Sequence, residues 1–182
     1  AALRCFAGMT LGEAARSVNK SNDEFAYDLV LDEDGIQAFI MFWPLPEEES
    51  EAVLNQTAPH PLMMVASDGV YDCPHPHPRG QGCFAQMLRK FVREHKLVSL
   101  EEAVYKMSGF PAERYRLKER GILREGAPAD VVIFDPHTVA DKATFESPIQ
   151  PPAGIPHVFV NGIPVIENHE PTEHRPGQVL RR

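Results

Sequence analysis

Asp68 is the residue in this sequence best placed to do chemistry. It stands between Ser67 and Gly69, directly after the apolar run 62–66, and His75, His77 and Arg79 follow on a proline-rich stretch. A carboxylate at the C-terminal end of a buried strand can ligate a divalent metal. It can also take a proton from a metal-bound water and hand it to a leaving amine. Ser67-Asp68-Gly69 is equally a run of turn-forming residues, so the local sequence leaves a plain turn and a catalytic carboxylate both open. Arg79 offers a planar fork of donors that suits a carboxylate on a ligand. A surface arginine, or one paired with Asp72, is the equal alternative. His75 and His77 have the spacing of a metal-binding pair, but they sit among prolines beyond Asp68 rather than at the end of a buried strand. Loop packing, solvent exposure or contact with a substrate fits them better than direct metal ligation. Cys73 and Cys83 flank the loop without a recognisable histidine and base, so neither reads as a nucleophile.

The elements that must position these residues are legible in outline. Thr10 with Glu13, Ser21 with Glu24 and Ser99 with Glu102 each have capping-box spacing, and apolar residues recur at helical intervals behind each. Pro46 and the acidic residues 47–49 suit the first turn of another helix, whose run 47–51 reads as a solvated face. Phe84, Met87, Leu88, Phe91 and Val92 form one apolar stripe. Lys90, Arg93 and Lys96 then read as the solvated face of the same helix. Pro111 opens a short helix through Arg116. The nearly continuous apolar runs 36–42 and 62–66 are predicted strands buried on both faces, with Met63 and Met64 as core packing. Helices alternating with short buried strands argue for parallel α/β structure over residues 1–120. From Gly121 the character changes. Residues 129–134 read as a strand, and 157–160 and 163–166 flank Asn161-Gly162, the signature of a type I′ hairpin. Residues 121–182 are thus expected to form a small β-rich unit.

A formal net charge of −8 argues against a phosphate backbone or an anionic lipid surface as partner. No apolar run reaches the roughly 18 residues of a spanning helix. Three cysteines without Cys-x-x-Cys spacing read as reduced thiols of a cytoplasmic protein. The first residues, starting at Ala1, have no basic stretch ahead of a long apolar one, so no signal peptide is expected. The absence of an initiator methionine fits a segment of a longer protein.

Residues 60–69, His-Pro-Leu-Met-Met-Val-Ala-Ser-Asp-Gly, with His75-Pro76-His77-Pro78-Arg79 behind them, resemble the N-acyl-D-amino-acid deacylases of the amidohydrolase superfamily. The resemblance continues through residues 99–107, 111–114 and 120–135, the last containing Gly126-Ala127-Pro128-Ala129-Asp130, and on through 143–146, 160–162 and 175–177. It covers nearly the whole chain, the helix after Thr10 more loosely. The glycine-alanine-aspartate segment is common to many amidohydrolases. The aspartate-glycine element with its His-Pro-His-Pro-Arg run is the more specific signal.

The resemblance implies the C-terminal part of a (β/α)8 barrel whose last strand ends in the catalytic Asp68, which also serves as a weak or second-site metal ligand. A small share of a composite β-sandwich follows. It implies zinc-dependent hydrolysis of the amide of N-acyl-D-amino acids, with Asp68 as proton carrier and Arg79 on the substrate carboxylate. The family's remaining ligands, a His-x-His pair, a bridging cysteine or modified lysine and two later histidines, have no counterpart here, so the metal site belongs to the complete enzyme. Two alternatives stand beside this reading. One is a cyclic amide hydrolase of the dihydroorotase or hydantoinase type, against which the His-Pro-His-Pro-Arg run argues. The other is a non-catalytic chain acting by association, with itself or with an N-terminal barrel partner, through uncovered strand edges and apolar faces.

Overall fold

The computed structural model describes Phe6 and residues 9–32, 47–71 and 75–180. The expected strand 36–42, Pro46, Cys5, Asp72 and Cys73 lie outside these residues. The chain divides into two compact units, Ala1–Pro44 and Leu45–Arg182.

In the first unit, helices α1 (Leu11–Ser17) and α2 (Asn22–Asp32) start where the capping residues place them. Thr10 accepts from the Glu13 amide at 3.3 Å, and the Glu13 carboxylate accepts from the Thr10 amide at 2.8 Å. Ser21 and Glu24 repeat the exchange at 3.3 and 3.0 Å. Each box satisfies amides that the first helical turn leaves without partners. The helices close over Ala14, Ala15 and Phe25, with Phe6 packed edge to face on Phe25 at 5.1 Å.

The second unit carries α3 (Glu47–Thr57), α4 (Arg79–Gln86), α5 (Leu100–Met107) and α6 (Gly109–Tyr115), and then strands β1 (Val131–Ile133), β2 (His157–Val160), β3 (Ile163–Glu167) and β4 (Glu170–Pro171). From α4 the chain continues without a break into a π-helical stretch, Met87–Glu94, whose wider winding shows in the His95 amide bonding the Lys90 carbonyl at 2.8 Å. Met87, Leu88 and Phe91 turn inward and join Ala58, Ala85, Val98, Ala103 and Val139 in the core. Phe84, one turn upstream, stays 42% exposed and faces an apolar cleft of about 910 Å³ between the helices and strands β1 and β2. Ser99 caps α5 by accepting from the Glu102 amide at 3.1 Å, while the Glu102 carboxylate turns to Lys106. Only half of the expected capping box forms there.

Two expectations are corrected. Residues 62–66 form no strand: the segment has no ladder, and among the described residues its one backbone bond to another element is from the Val65 amide to the Lys106 carbonyl at 3.2 Å. A doubly buried strand requires neighbours on both edges, and the described residues provide none; Leu62 is accordingly 73% exposed, while Met63 and Val65 pack on the core. Lys90 and Arg93 are not a solvated face. Lys90 pairs with Glu51 of α3 at 3.0 Å, and Arg93 donates to the carbonyls of Pro136 and Val139 at 3.0 and 2.8 Å. The winding of the π-helical stretch turns both toward neighbouring segments, and Glu51 is drawn out of the solvated face expected for it.

The four strands form an antiparallel meander in the order β1-β2-β3-β4. Asn161 and Gly162 take φ of 50° and 79°, the left-handed pair a type I′ turn requires. A second tight turn joins β3 to β4, with Asn168 and His169 at φ of 53° and 69°.

Candidate active site

Asp68 follows the segment 62–66 in the left-handed region, φ 45°, which aspartate tolerates better than most residues. Its side chain is 77% exposed. Ser67 supports the turn by accepting from the Gly69 amide at 3.3 Å. Arg79, the first residue of α4, grips Asp68 twice. A terminal guanidinium nitrogen lies 2.6 Å from the carboxylate, and Nε donates to the Asp68 carbonyl at 3.0 Å. The approach of the two segments depends on small residues. A β-carbon on Gly69 would lie 3.2 Å from the Gly80 Cα, and one on Gly80 would lie 2.8 Å from the Tyr71 hydroxyl. That hydroxyl donates to the Gly80 carbonyl at 2.7 Å and ties the far side of the turn to the helix.

Pro78 cannot cap α4 with a side chain, and His77 does so instead: its Nδ1 accepts from the Arg79 amide at 3.0 Å. The ring packs edge to face on Phe145 at 5.0 Å. Burial, with a smaller contribution from the Arg79 charge, holds the His77 pKa below its ordinary value, which keeps Nδ1 free to accept. Nε2 of His75 lies 2.6 Å from the Phe145 carbonyl, which accepts from it. The structure thus brings Asp68 and Arg79 together and draws both histidines toward Phe145. The Cys83 thiol, half-buried on α4, has its pKa pushed up by burial, which suppresses the nucleophilic thiolate.

Two contributors escaped the sequence reading. Tyr71 carries no local signal of its bond to Gly80. Lys106 is 2% exposed, donates to the His60 carbonyl, and stands 3.5 Å from Glu102. Its position three residues after the fully buried Ala103 was the available hint, because residues so spaced share one helix face.

Residues 54–166 match the amidohydrolase family, and the chain belongs to that family. It is 51% identical over 130 residues to the N-acyl-D-aspartate deacylase of Alcaligenes xylosoxydans xylosoxydans, covering 71% of this chain and 26% of that protein. It is 39% identical over 175 residues to the D-aminoacylase of the same organism, covering 96% of this chain and 34% of the relative. Among solved structures, the N-acyl-D-glutamate deacylase from Bordetella bronchiseptica, complexed with zinc and a phosphonate mimic of the tetrahedral intermediate, superposes with a TM-score of 0.82 at 39% identity, over 96% of this chain and 35% of its own. Similarity to dihydroorotases, such as that of Lactobacillus helveticus, is lower, 30% over 145 residues. The chain spans only about a quarter to a third of the length of the curated relatives it matches.

Among the described residues, no three of the His, Cys, Asp and Glu side chains group closely enough to hold a metal ion. Asp68 has Arg79 as its charged partner. No helix among the described residues is long and apolar enough to cross a membrane.

Proposed function

We propose that these residues form the C-terminal part of a zinc-dependent enzyme that hydrolyses the amide bond of N-acyl-D-amino acids, with Asp68 as its proton carrier. The observation that carries the reading is the presentation of Asp68: an exposed carboxylate on a left-handed turn, anchored by Arg79, in a chain 51% identical to an N-acyl-D-aspartate deacylase. Asp68 takes a proton from the attacking water, and the oxygen adds to the acyl carbon. Asp68 then returns the proton to the nitrogen as the C–N bond breaks, so that carboxylic acid and free amino acid leave together. Arg79 binds the substrate's α-carboxylate with its fork of donors, and His75 and His77 contact the substrate along the same loop. Zinc belongs to the complete enzyme, with its principal ligands in segments other than these.

The domain division belongs to the same proposal. Residues 1–120 are the C-terminal part of the hydrolase barrel, and residues 121–182 are a share of a composite β-sandwich. Two observations support it. The last helix ends at Tyr115 and every described strand follows it. Edge strand β1 leaves Val132 53% exposed in the lining of the apolar cleft, a surface that further chain, in cis or as a partner subunit, would cover. A cytoplasmic setting accords with the free Cys83 thiol.

The test is a substrate panel on the complete enzyme. N-acyl-D-amino acids should exceed hydantoins in kcat/KM by at least about 100-fold, because a site built to pair a carboxylate rejects ligands lacking one, and should also exceed dihydroorotate, whose carboxylate is not on the carbon that bears the scissile nitrogen. A preference for the cyclic amides would overturn the reading.

A further inference from the structure

We infer that Lys106 is a positioning residue for Asp68, holding the segment that delivers the carboxylate; the inference rests on the catalytic reading of Asp68. The argument begins with cost. Lys106 is the one buried charged residue among those described, 2% exposed on a helix face otherwise occupied by Ala103. A methionine would fill a similar volume without desolvating an ammonium group, so the charge is not explained by packing. Its partners account for it. Nζ donates to the carbonyl of His60, which also accepts from the Met63 amide at 3.0 Å. The Lys106 carbonyl accepts from the Val65 amide at 3.2 Å. One residue therefore clamps the segment at His60 and at Val65, three residues before Asp68. Glu102, one helical turn back, balances the charge at 3.5 Å.

Among the described residues, the segment that ends in Asp68 has no strand neighbour, and beyond Val65 its next ties are those of Asp68 and Tyr71 to Arg79 and Gly80. Lys106 sets one end of the Asp68 turn and the start of α4 sets the other. Proton transfer is sensitive to displacements of about 1 Å, whereas binding through Arg79, which is carried by α4 and not by this segment, is less so. Loss of the clamp should act on kcat and spare KM.

The experiment compares Lys106→Met, Lys106→Arg and Val98→Ala in the complete zinc-loaded enzyme. Val98 belongs to the same core and has no part in the clamp, so it calibrates a general loss of stability. Lys106→Met removes the tie to His60 and keeps the backbone tie to Val65, and it should lower kcat about 10-fold or more, with KM within about twofold. Lys106→Arg, which keeps a donor, should recover most of the rate. Val98→Ala should leave kcat unchanged at an equal or greater fall in Tm. An unchanged kcat in Lys106→Met, or a loss that Val98→Ala reproduces, overturns the inference. If Lys106→Met does not fold, Lys106→Gln, whose shorter arm draws the donor back from the His60 carbonyl, decides: wild-type KM with a lowered kcat supports positioning, and wild-type kcat refutes it. Asp68→Asn run alongside separates the two claims. If it retains turnover the catalytic reading itself fails; if it is inactive while Lys106→Met is fully active, only the positioning role fails.

Discussion

Replacing Arg79 with alanine should separate what this residue contributes to the fold from what it contributes to binding. In the structure the guanidinium makes two contacts, 2.6 Å to the Asp68 carboxylate and 3.0 Å to its carbonyl, with side-chain exposures of 43% for Arg79 and 77% for Asp68. Ion pairs this open to water are worth at most about 1 kcal/mol. Tm should therefore fall by no more than about 4 °C. Binding is a different matter. A forked charge-assisted contact to a substrate carboxylate, shielded from water once the substrate is bound, contributes about 1.5–3 kcal/mol, which corresponds to roughly 10- to 150-fold in affinity. Steady-state kinetics of the complete Arg79→Ala enzyme on an N-acyl-D-amino acid should show KM raised into that range. Arg79→Lys should recover only part of it, because an ammonium keeps the charge without the fork. A KM within twofold of wild type would refute the assignment and leave Arg79 as a structural partner of Asp68.

Two further outcomes follow from the same geometry. The His77 pKa is lowered on folding, so the unfolded chain binds the extra proton first as pH falls; stability should decline below about pH 6.5, the unfolded value, as His77 protonates and Nδ1 can no longer accept the Arg79 amide. Chemical denaturation at several pH values checks this, and His77→Asn, which keeps a side-chain acceptor, should flatten the slope. Gly154→Ala should be severely destabilising, by about 2 kcal/mol or more, because Gly154 has φ of 73° and an added β-carbon would lie 2.5 Å from the Val139 backbone nitrogen; denaturant unfolding measures it, and a loss under 0.5 kcal/mol, roughly the effect of a neutral surface change, would contradict it.

Features set by contacts between near neighbours could be read from the sequence. The capping pairs Thr10 with Glu13 and Ser21 with Glu24 form as spaced, and Asn161-Gly162 turns as its residue types require. Features set by distant partners could not. Residues 62–66 have strand composition, but a strand exists only with neighbours, and here the segment is held by Lys106, some forty residues on in the chain. The turn at Asn168 and His169 lacks the glycine that marks such turns, so β4 was missed. At the site, the types and order of Asp68, His75, His77 and Arg79 indicated a carboxylate and a guanidinium on neighbouring segments, with a substrate carboxylate, solvent or Asp72 as the partner of Arg79. Their pairing depends on how closely Gly69 and Gly80 let two segments approach, and no pattern of residue types encodes that.

The central claim is that Asp68 carries the proton in amide hydrolysis, and Asp68→Asn in the complete enzyme tests it most directly. Asparagine preserves size and can still accept from Arg79, but it cannot take a proton from water. With zinc content and Tm matched to wild type, kcat on an N-acyl-D-amino acid should fall about 10²- to 10⁴-fold. Turnover within a few-fold of wild type would show that another group moves the proton, and would contradict the account.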